Sequence, residues 1–422
     1  MTADKPQTLR HAPLDSTEKN IPYGVPDATL VGWNLLQGGL PFPQMVLRES
    51  ALAANLRSMA EWCHRQGFLL APHGKTTMCP SIFKRQMESG AWAMTVANAS
   101  QANICIHAGV RRILIANQVV GSAAPRSLAA AMRDLDDLEI FCLVDSVNGV
   151  RNLAHALRAA IATRPIGVLV EMGRNGWRAG ARTIADGIAV FEEIGNHPDV
   201  LVCRGVEGFE GLAHSDDGAQ SEGRLVDEFL SNVLLLARKV GEHLGTRALL
   251  SAGGSAFLDR ILQLRHAVGD EFQMVVRSGC YVTHDHGAYL RRDIAAHERE
   301  PSADLPSFTP ALELWSLVQS RPEPELAILN FGKRDCPFDI DLPIPLFAVS
   351  LRNPSERIPI PNLTVSGLND QHAYLRGPLG DLQLGDAICC GISHPCTAFD
   401  KWRVLPVVDD TYQVLDWYRT YF

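Results

Sequence analysis

The chain has 422 residues, 46% of them apolar and 20% charged, and a formal net charge of −8 from 39 basic and 47 acidic side chains. That length holds one large α/β barrel and a second, smaller unit, and the acidic balance excludes a basic surface for nucleic acid. No uninterrupted run of about 18 apolar residues occurs, so no membrane-spanning helix is expected. Residues 1–30 carry Asp4, Lys5, Arg10, Asp15, Glu18 and Lys19 and lack the apolar core of an export signal, so a cytoplasmic location is expected. The ten cysteines are scattered through a long chain and are expected as reduced thiols.

Residues 1–40 show no strong pattern and are expected to wrap against a C-terminal β domain. From residue 68 eight short apolar runs follow: "FLLA" (68–71), "AWAMTV" (91–96), "RILIAN" (112–117), "LEIFCLVD" (138–145), "IGVLVEMG" (166–173), "VLVCRGVEG" (200–208), "RALLSAGG" (247–254) and "FQMVVRSG" (272–279). Runs apolar on both faces belong to parallel sheets. Helical patterns lie between them. "SQANICIHAG" spaces Ala102, Cys105 and Ile106 on one face, and Ser146 caps a segment with Val150, Leu153, Ala154 and Leu157 at helical intervals. The longest helix is expected to close on Gly245. Eight strand-then-helix units predict a (β/α)8 barrel over residues 41–300, with a doubly wound sheet as the weaker option. After the Pro- and charge-rich connector "EREPSADLPSFTP", short alternating runs separated by turn signals predict an antiparallel β domain over 301–422.

In such a barrel, chemistry sits at the carboxyl ends of the strands. Lys75, Asn98, Glu171, Arg178, Ser251, Gly253 and Ser278 lie at or just past those ends. Lys75 ends the stretch "FLLAPHGK", after His73 and Gly74. A lysine partly withdrawn from water at a barrel mouth can condense with a carbonyl group; the plainer reading is a surface lysine opening the next helix. Gly253, Gly254 and Ser255 after the seventh run, and Ser278 and Gly279 after the eighth, suit an anion at a helix N-terminus, and phosphate cofactors of barrels often sit there. Such glycines also serve plain tight turns. Arg178 follows the fifth strand and suits a cofactor phosphate or ring, or a solvated loop. In "GISHPCTAFDKWR", His394 and Cys396 stand two apart and can reach one metal. Imidazole with thiolate favours zinc, with further ligands coming from elsewhere, from water or from substrate. His284, Asp285 and His286 are a rival trio, but adjacent ligands point apart, which favours a structural or interface role.

Together these stretches resemble the alanine-racemase-like, fold type III enzymes. "PHGKT" and "HPC" resemble D-serine dehydratases (D-serine deaminases) and their relatives the D-threonine aldolases, "PFPQMVLRESALAANLRSMAEW" resembles that family's opening segment, and "SAGGS" its phosphate loop. The likeness covers roughly residues 40–420. It implies a barrel, a C-terminal β domain, pyridoxal 5′-phosphate, zinc and a homodimer whose second subunit completes the site. Lys75 then matches the Schiff-base lysine, His394 and Cys396 the metal ligands, and Gly253, Gly254 and Ser255 the phosphate loop. The sequence departs from the pattern at Thr77-Met78, where His-Lys is usual. It departs again in "EMGRNGWRAG", which displaces Arg178 by two positions. The expected function is dehydration of a D-β-hydroxy amino acid, D-serine first, to a keto acid and ammonia. The alternatives are retro-aldol cleavage of D-threonine, where relatives tend to pair His with Asp, dehydration of a hydroxy-D-aspartate, and a non-catalytic pyridoxal-phosphate-binding barrel.

Overall fold

The structure is a computed structural model describing residue 14 and residues 17–22, 31–214 and 219–422. It opens with strand β1 (Gln44–Arg48), which runs directly into helix α1 (Glu49–Gln66). Helix α1 buries Leu52, Asn55, Leu56, Met59, Trp62 and Cys63, one face at helical spacing, and ends at Gly67, whose φ of 69° closes the helix on the His64 carbonyl.

The eight apolar runs are all strands: β2 (Leu69–Leu70), β3 (Met94–Val96), β4 (Arg112–Gln118), β5 (Glu139–Val144), β6 (Ile166–Met172), β7 (Leu201–Gly208), β8 (Leu249–Ser251) and β9 (Gln273–Val276). They form one parallel sheet in the order β2-β9-β8-β7-β6-β5-β4-β3. The sheet closes on itself, because Trp92 N–H donates to Leu70 O at 2.7 Å and Thr95 N–H to Pro72 O at 2.8 Å. A doubly wound sheet leaves those edges open, so the structure is the barrel. Its interior is filled by Ala71, Ala93, Leu114, Ala116, Phe141, Leu143, Leu169, Leu249 and Val275. The alternate residues, such as Ile113, Ile115, Val168 and Val206, pack outward against the helices, which is why the runs read as apolar throughout.

The intervening helices are α2 (Pro80–Glu88), α3 (Ala99–His107), α4 (Ala123–Asp134), α5 (Val147–Ala159), α6 (Ile184–Gly195), α7 (Ala219–Gly241), α8 (Leu258–Val268) and α9 (Ala288–Arg299). Ser146 caps α5 as expected, accepting from Gly149 N–H at 3.1 Å. Helix α7 stops at Gly241; turns closed by His243 and Leu244 N–H carry the chain to Gly245, where the sequence placed the end.

The remaining strands are β10 (Leu312–Glu323), β11 (Leu326–Leu329), β12 (Ile344–Ser350), β13 (Asn353–Pro359), β14 (Thr364–Leu368), β15 (Ala373–Arg376), β16 (Ala387–Gly391), β17 (Val404–Val408) and β18 (Val414–Arg419), with the one-turn helix α10 (Cys396–Phe399) after β16. Their pairings are antiparallel, and the main sheet runs β13-β12-β16-β10-β1-β17-β18, with β11, β15 and β14 branching from β10. Strand β1 lies in this second sheet, antiparallel to β10 and parallel to β17, although the boundary read at residue 41 assigned it to the barrel. Its Met45, Val46 and Leu47 are all fully buried, as the centre of a covered sheet requires. Leu35, Leu36 and Leu40 pack with Val46, Trp315 and Val414 of this sheet; residues 1–13, 15–16 and 23–30 of the N-terminal segment fall outside the described residues. Among the described residues no helix is long and apolar enough to cross a membrane.

Candidate active site

The barrel changes character at the carboxyl ends of its strands. Two residues past an interior apolar position, where strand alternation returns the side chain to the same face, stands a polar one. His73 follows Ala71, Thr95 follows Ala93, Gln118 follows Ala116 and Asp145 follows Leu143. Glu171 follows Leu169, Ser251 follows Leu249 and Arg277 follows Val275. Glu207 completes the ring on β7, in register with Glu171 on one side and Ser251 on the other.

Within the ring Gln118 Nε2 donates to Glu171 Oε2, and Arg277 Nη2 to Glu207 Oε1. Burial pushes the Glu207 carboxyl up to about 8, against the opposing pull of Arg277. Burial also raises Glu171, and the Gln118 hydrogen bond offsets part of that rise. His73 is held well below the ordinary imidazole value, first by burial and then by the positive charges of Lys75, Arg277 and Arg178, so it is neutral. Four buried atoms of the ring have no partner: His73 Nδ1, Glu207 Oε2, Ser251 Oγ and Arg277 Nε. Orphaned polar atoms of this kind call for a bound polar group or water.

Lys75 rises from a 3-10 turn (Gly74–Thr76) that follows β2. Gly74 packs against the Phe83 ring, where a Cβ would stand 3.0 Å from Cε1, so the turn lies flat on the barrel. The Lys75 side chain is exposed rather than partly withdrawn from water. Around it the two glycine loops interlock. Ser278 Oγ donates to Gly254 O at 2.6 Å, and a Cβ on Gly279 would meet His73 O at 2.6 Å. Gly253 and Gly254 do present N–H groups to an anion, but the anion is Glu210, whose carboxylate accepts at 3.1 and 2.8 Å. Ser255 does not open the next helix: it stands in a bend, and α8 begins at Leu258 with Phe257 as cap. The Arg178 guanidinium lies 4.9 Å over the Phe209 ring, facing the same mouth. Asn98 serves α3 as its N-cap, accepting from Gln101 N–H at 3.0 Å, and its side chain is exposed.

From the β domain, the loop after β16 reaches this mouth. Cys396 Sγ stands 3.4 Å from Thr76 Oγ1, beside Lys75, and 3.6 Å from Cys280 Sγ. His394 Nδ1 pairs with Asp339 Oδ2 at 2.5 Å, the carboxylate–imidazole arrangement that orients metal-binding histidines. Contact with Cys396, and then Asp339, raises the imidazole to about 9. Hydrogen bonds from Cys280 and then from His394 and Thr76 hold the Cys396 thiol well below its ordinary value. Among the described residues no three His, Cys, Asp or Glu side chains are grouped to hold a metal; the pair supplies two donors. The rival trio is structural. His284 pairs with Asp293 at 2.9 Å, and Asp285 accepts N–H bonds from Gly287, Tyr289 and His394.

Sequence reasoning missed Arg277, Glu207, Glu210 and Asp339. For the first two the signal was present: a charged residue inside "VLVCRGVEG" or "FQMVVRSG" must either leave the sheet or find a buried partner. Nothing local links Glu210 to Gly253 or Asp339 to His394.

The comparisons bear on this geometry. The model of a family described as "Putative serine dehydratase domain" matches residues 311–408, the segment that carries His394 and Cys396. A D-threonine aldolase from Arthrobacter sp. is 26% identical over 373 residues, 87% of this chain and 89% of the relative. The crystal structure of D-threonine aldolase from Filomicrobium marinum superposes with a TM-score of 0.76 at 22% identity, covering 92% of this chain and 97% of that one. The chain has the alanine-racemase-like fold, a parallel eight-stranded barrel followed by a mostly antiparallel β domain. D-threo-3-hydroxyaspartate dehydratase from a Delftia species shares the fold at a TM-score of 0.71 and 20% identity, covering 92% of this chain and all of that one.

The residues at the mouth fit the cofactor that the resemblance implies. They offer a lysine amine, four buried polar atoms without protein partners, and two loops tied to each other through Ser278 Oγ and Gly254 O. A phosphate-bearing heteroaromatic aldehyde matches that donor set.

Proposed function

We propose that the protein is a pyridoxal-phosphate- and metal-dependent lyase of D-β-hydroxy amino acids. The observation that supports this reading is the 3.4 Å contact between Cys396 Sγ and Thr76 Oγ1, the residue next to Lys75 in the chain. Lys75 would hold the cofactor, with the partnerless groups His73, Ser251 and Arg277 around its ring and the Ser255 and Ser278–Gly279 loops at its phosphate. Bound there, pyridoxal phosphate supplies an electron sink for negative charge at Cα. Lys75 Nζ would be the base that takes the Cα proton. His73, kept neutral, adds no competing positive charge beneath it. His394 and Cys396 suit zinc, whose Lewis acidity would help a β-hydroxyl leave, and Asp339 fixes the His394 ring. A homodimer in the cytoplasm, as the family resemblance implies, belongs to the same reading.

Dehydration is favoured by Cys396. Among the solved forms of D-threo-3-hydroxyaspartate dehydratase are a histidine-to-alanine variant and a cysteine-to-alanine variant, the latter metal-free; this chain carries the same two residue types at its seam. The whole-chain likenesses to that enzyme and to D-threonine aldolase support substrates larger than D-serine, so we place hydroxy-D-aspartate ahead of D-serine. Retro-aldol cleavage is the second reading, supported by the two aldolase matches.

D-threonine separates the two reactions in one tube. Dehydration yields 2-oxobutanoate and ammonia, and cleavage yields glycine and acetaldehyde. D-serine and hydroxy-D-aspartate run beside it, each with cofactor and zinc, and with chelator. Chelator-sensitive keto acid release that is lost in Cys396→Ala supports dehydration; acetaldehyde supports the second reading. No product from any of the three substrates would overturn the proposal.

A further inference from the structure

The glycine loop after β8 is the natural seat for the cofactor's phosphate, yet an internal carboxylate holds its amides. Glu210 lies just past β7, is 0% exposed, and spends one oxygen on each of Gly253 and Gly254 N–H. Around this contact the loop is fixed from other sides. Gly253 O accepts from Arg277 N–H at 2.8 Å, and Gly254 O accepts the Ser278 hydroxyl. Phe209, the residue before Glu210, covers Gly254, where a Cβ would stand 2.9 Å from its ring. Gly253 has φ +93°, a conformation that L side chains rarely adopt.

We infer that Glu210 is a positioning residue for the cofactor's phosphate, a buried carboxylate that holds the Gly253–Gly254 turn in the shape that meets the Ser278 loop. The inference rests on the proposed pyridoxal-phosphate reading. Two features favour a brace over a plug that the phosphate displaces. A fully buried carboxylate with both oxygens satisfied by the turn's own N–H groups would have to give up both bonds to make way for the phosphate. The turn is also interlocked with the Ser278 loop through atoms that Glu210 does not touch, so moving the carboxylate out strands the turn rather than freeing it. The phosphate then takes donors from the outer part of the same pair of loops, and Gly253 and Gly254 shape the seat without lining it.

The test compares cofactor-stripped wild type, Glu210→Gln and Glu210→Asp in titrations with pyridoxal 5′-phosphate and with pyridoxal, which lacks the phosphate. Glutamine matches glutamate in size but turns an NH2 donor against one of the two N–H groups. The brace predicts a loss of about tenfold or more in pyridoxal 5′-phosphate affinity for Glu210→Gln, with pyridoxal affinity within twofold of wild type. Glu210→Asp, which keeps the charge, should recover part of the loss, and thermal melting checks that each variant is folded. Tighter pyridoxal 5′-phosphate binding by Glu210→Gln would make Glu210 a plug and overturn the inference. An equal loss for both ligands, or no change for either, would also overturn it. Wild type binding neither ligand would remove the pyridoxal-phosphate reading itself, and that control is read before any variant.

Discussion

The His394 loop has an internal anchor in Asp285 whose removal can be quantified. Asp285 is 1% exposed. Its Oδ1 accepts Gly287 and Tyr289 N–H, both at 2.9 Å, and its Oδ2 accepts His394 N–H at 2.8 Å. Asp285→Ala strands three N–H groups. At roughly 1–3 kcal/mol for each unsatisfied buried donor, less where water enters the vacated space, the loss is about 4 kcal/mol. An unfolding entropy of about 2.1 cal/mol/K per residue gives 422 residues about 0.9 kcal/mol per kelvin, so the melting temperature should fall by about 4 °C. Asp285→Asn is the sharper probe. Its oxygen keeps the Gly287 and Tyr289 bonds while its NH2 faces His394 N–H, so stability should fall by only about 1–2 kcal/mol. His394 sits at φ 79°, a left-handed conformation that a non-glycine residue holds only under constraint. Once the tether is lost it should relax, and zinc affinity should drop more than stability does. Calorimetry with zinc competition against a chromophoric chelator measures both. The reasoning fails if Asp285→Asn melts as low as Asp285→Ala, or if it holds zinc as tightly as wild type.

Other expectations follow from the same contacts. Borohydride treatment should fix the cofactor's mass on the peptide containing Lys75 and on no peptide of Lys75→Ala; a modified lysine elsewhere would move the site. Gly279→Ala drives a Cβ to 2.6 Å from His73 O and 2.8 Å from Thr76 Oγ1, which should cost about 2 kcal/mol of stability and weaken cofactor binding; unchanged melting and titration curves would refute the packing argument. Glu207 has a folded-state value near 8, above its unfolded value. The stability it contributes is therefore present below about pH 4.5 and lost as pH rises through 8. Glu207→Gln should gain on wild type across that window by up to about 1.4 kcal/mol per pH unit; denaturant melts that stay parallel from pH 5 to 8 would contradict it. Cys396→Asp replaces a soft ligand with a hard one and should shift the metal preference from zinc toward manganese or magnesium, read by activity after metal exchange.

The barrel was legible because its strands are buried on both faces, so each announces itself as an apolar run without help from distant residues. Lys75, His394 and Cys396 stood out in the sequence because each sits in a local motif. What stayed hidden was pairing across the chain. Glu210 and Gly253 are 43 positions apart, and His394 and Asp339 are 55 apart. A carboxylate in a loop carries no mark of which amides or imidazole it will meet. Strand β1 was misassigned for the same reason, since four buried residues leading into a helix fit the start of a barrel as well as the middle of another sheet. Ser255 shows the converse error: serine favours helix starts, yet Ser255 falls short of the helix it was expected to open.

The seam between the two sheets explains why the metal pair cannot be understood from the β domain alone. The match to the serine dehydratase domain, residues 311–408, holds both proposed ligands and Asp339. It holds none of the barrel groups that aim the loop carrying them. His286 N–H bonds Ile392 O at 2.9 Å, Ala288 N–H bonds Ser393 Oγ at 3.1 Å, and His394 N–H bonds Asp285. Gly391 is bare because the His286 ring occupies the space of its Cβ. Thr76, one residue from Lys75, closes the set against Cys396. The segment that follows β9 thus helps to shape the loop after β16, so on the proposed reading the barrel's own last turn sets His394 and Cys396 relative to Lys75. Changes at Asp285 or His286, distant in sequence from either ligand, should then alter the reaction through metal placement while leaving the β domain's strand pairing intact.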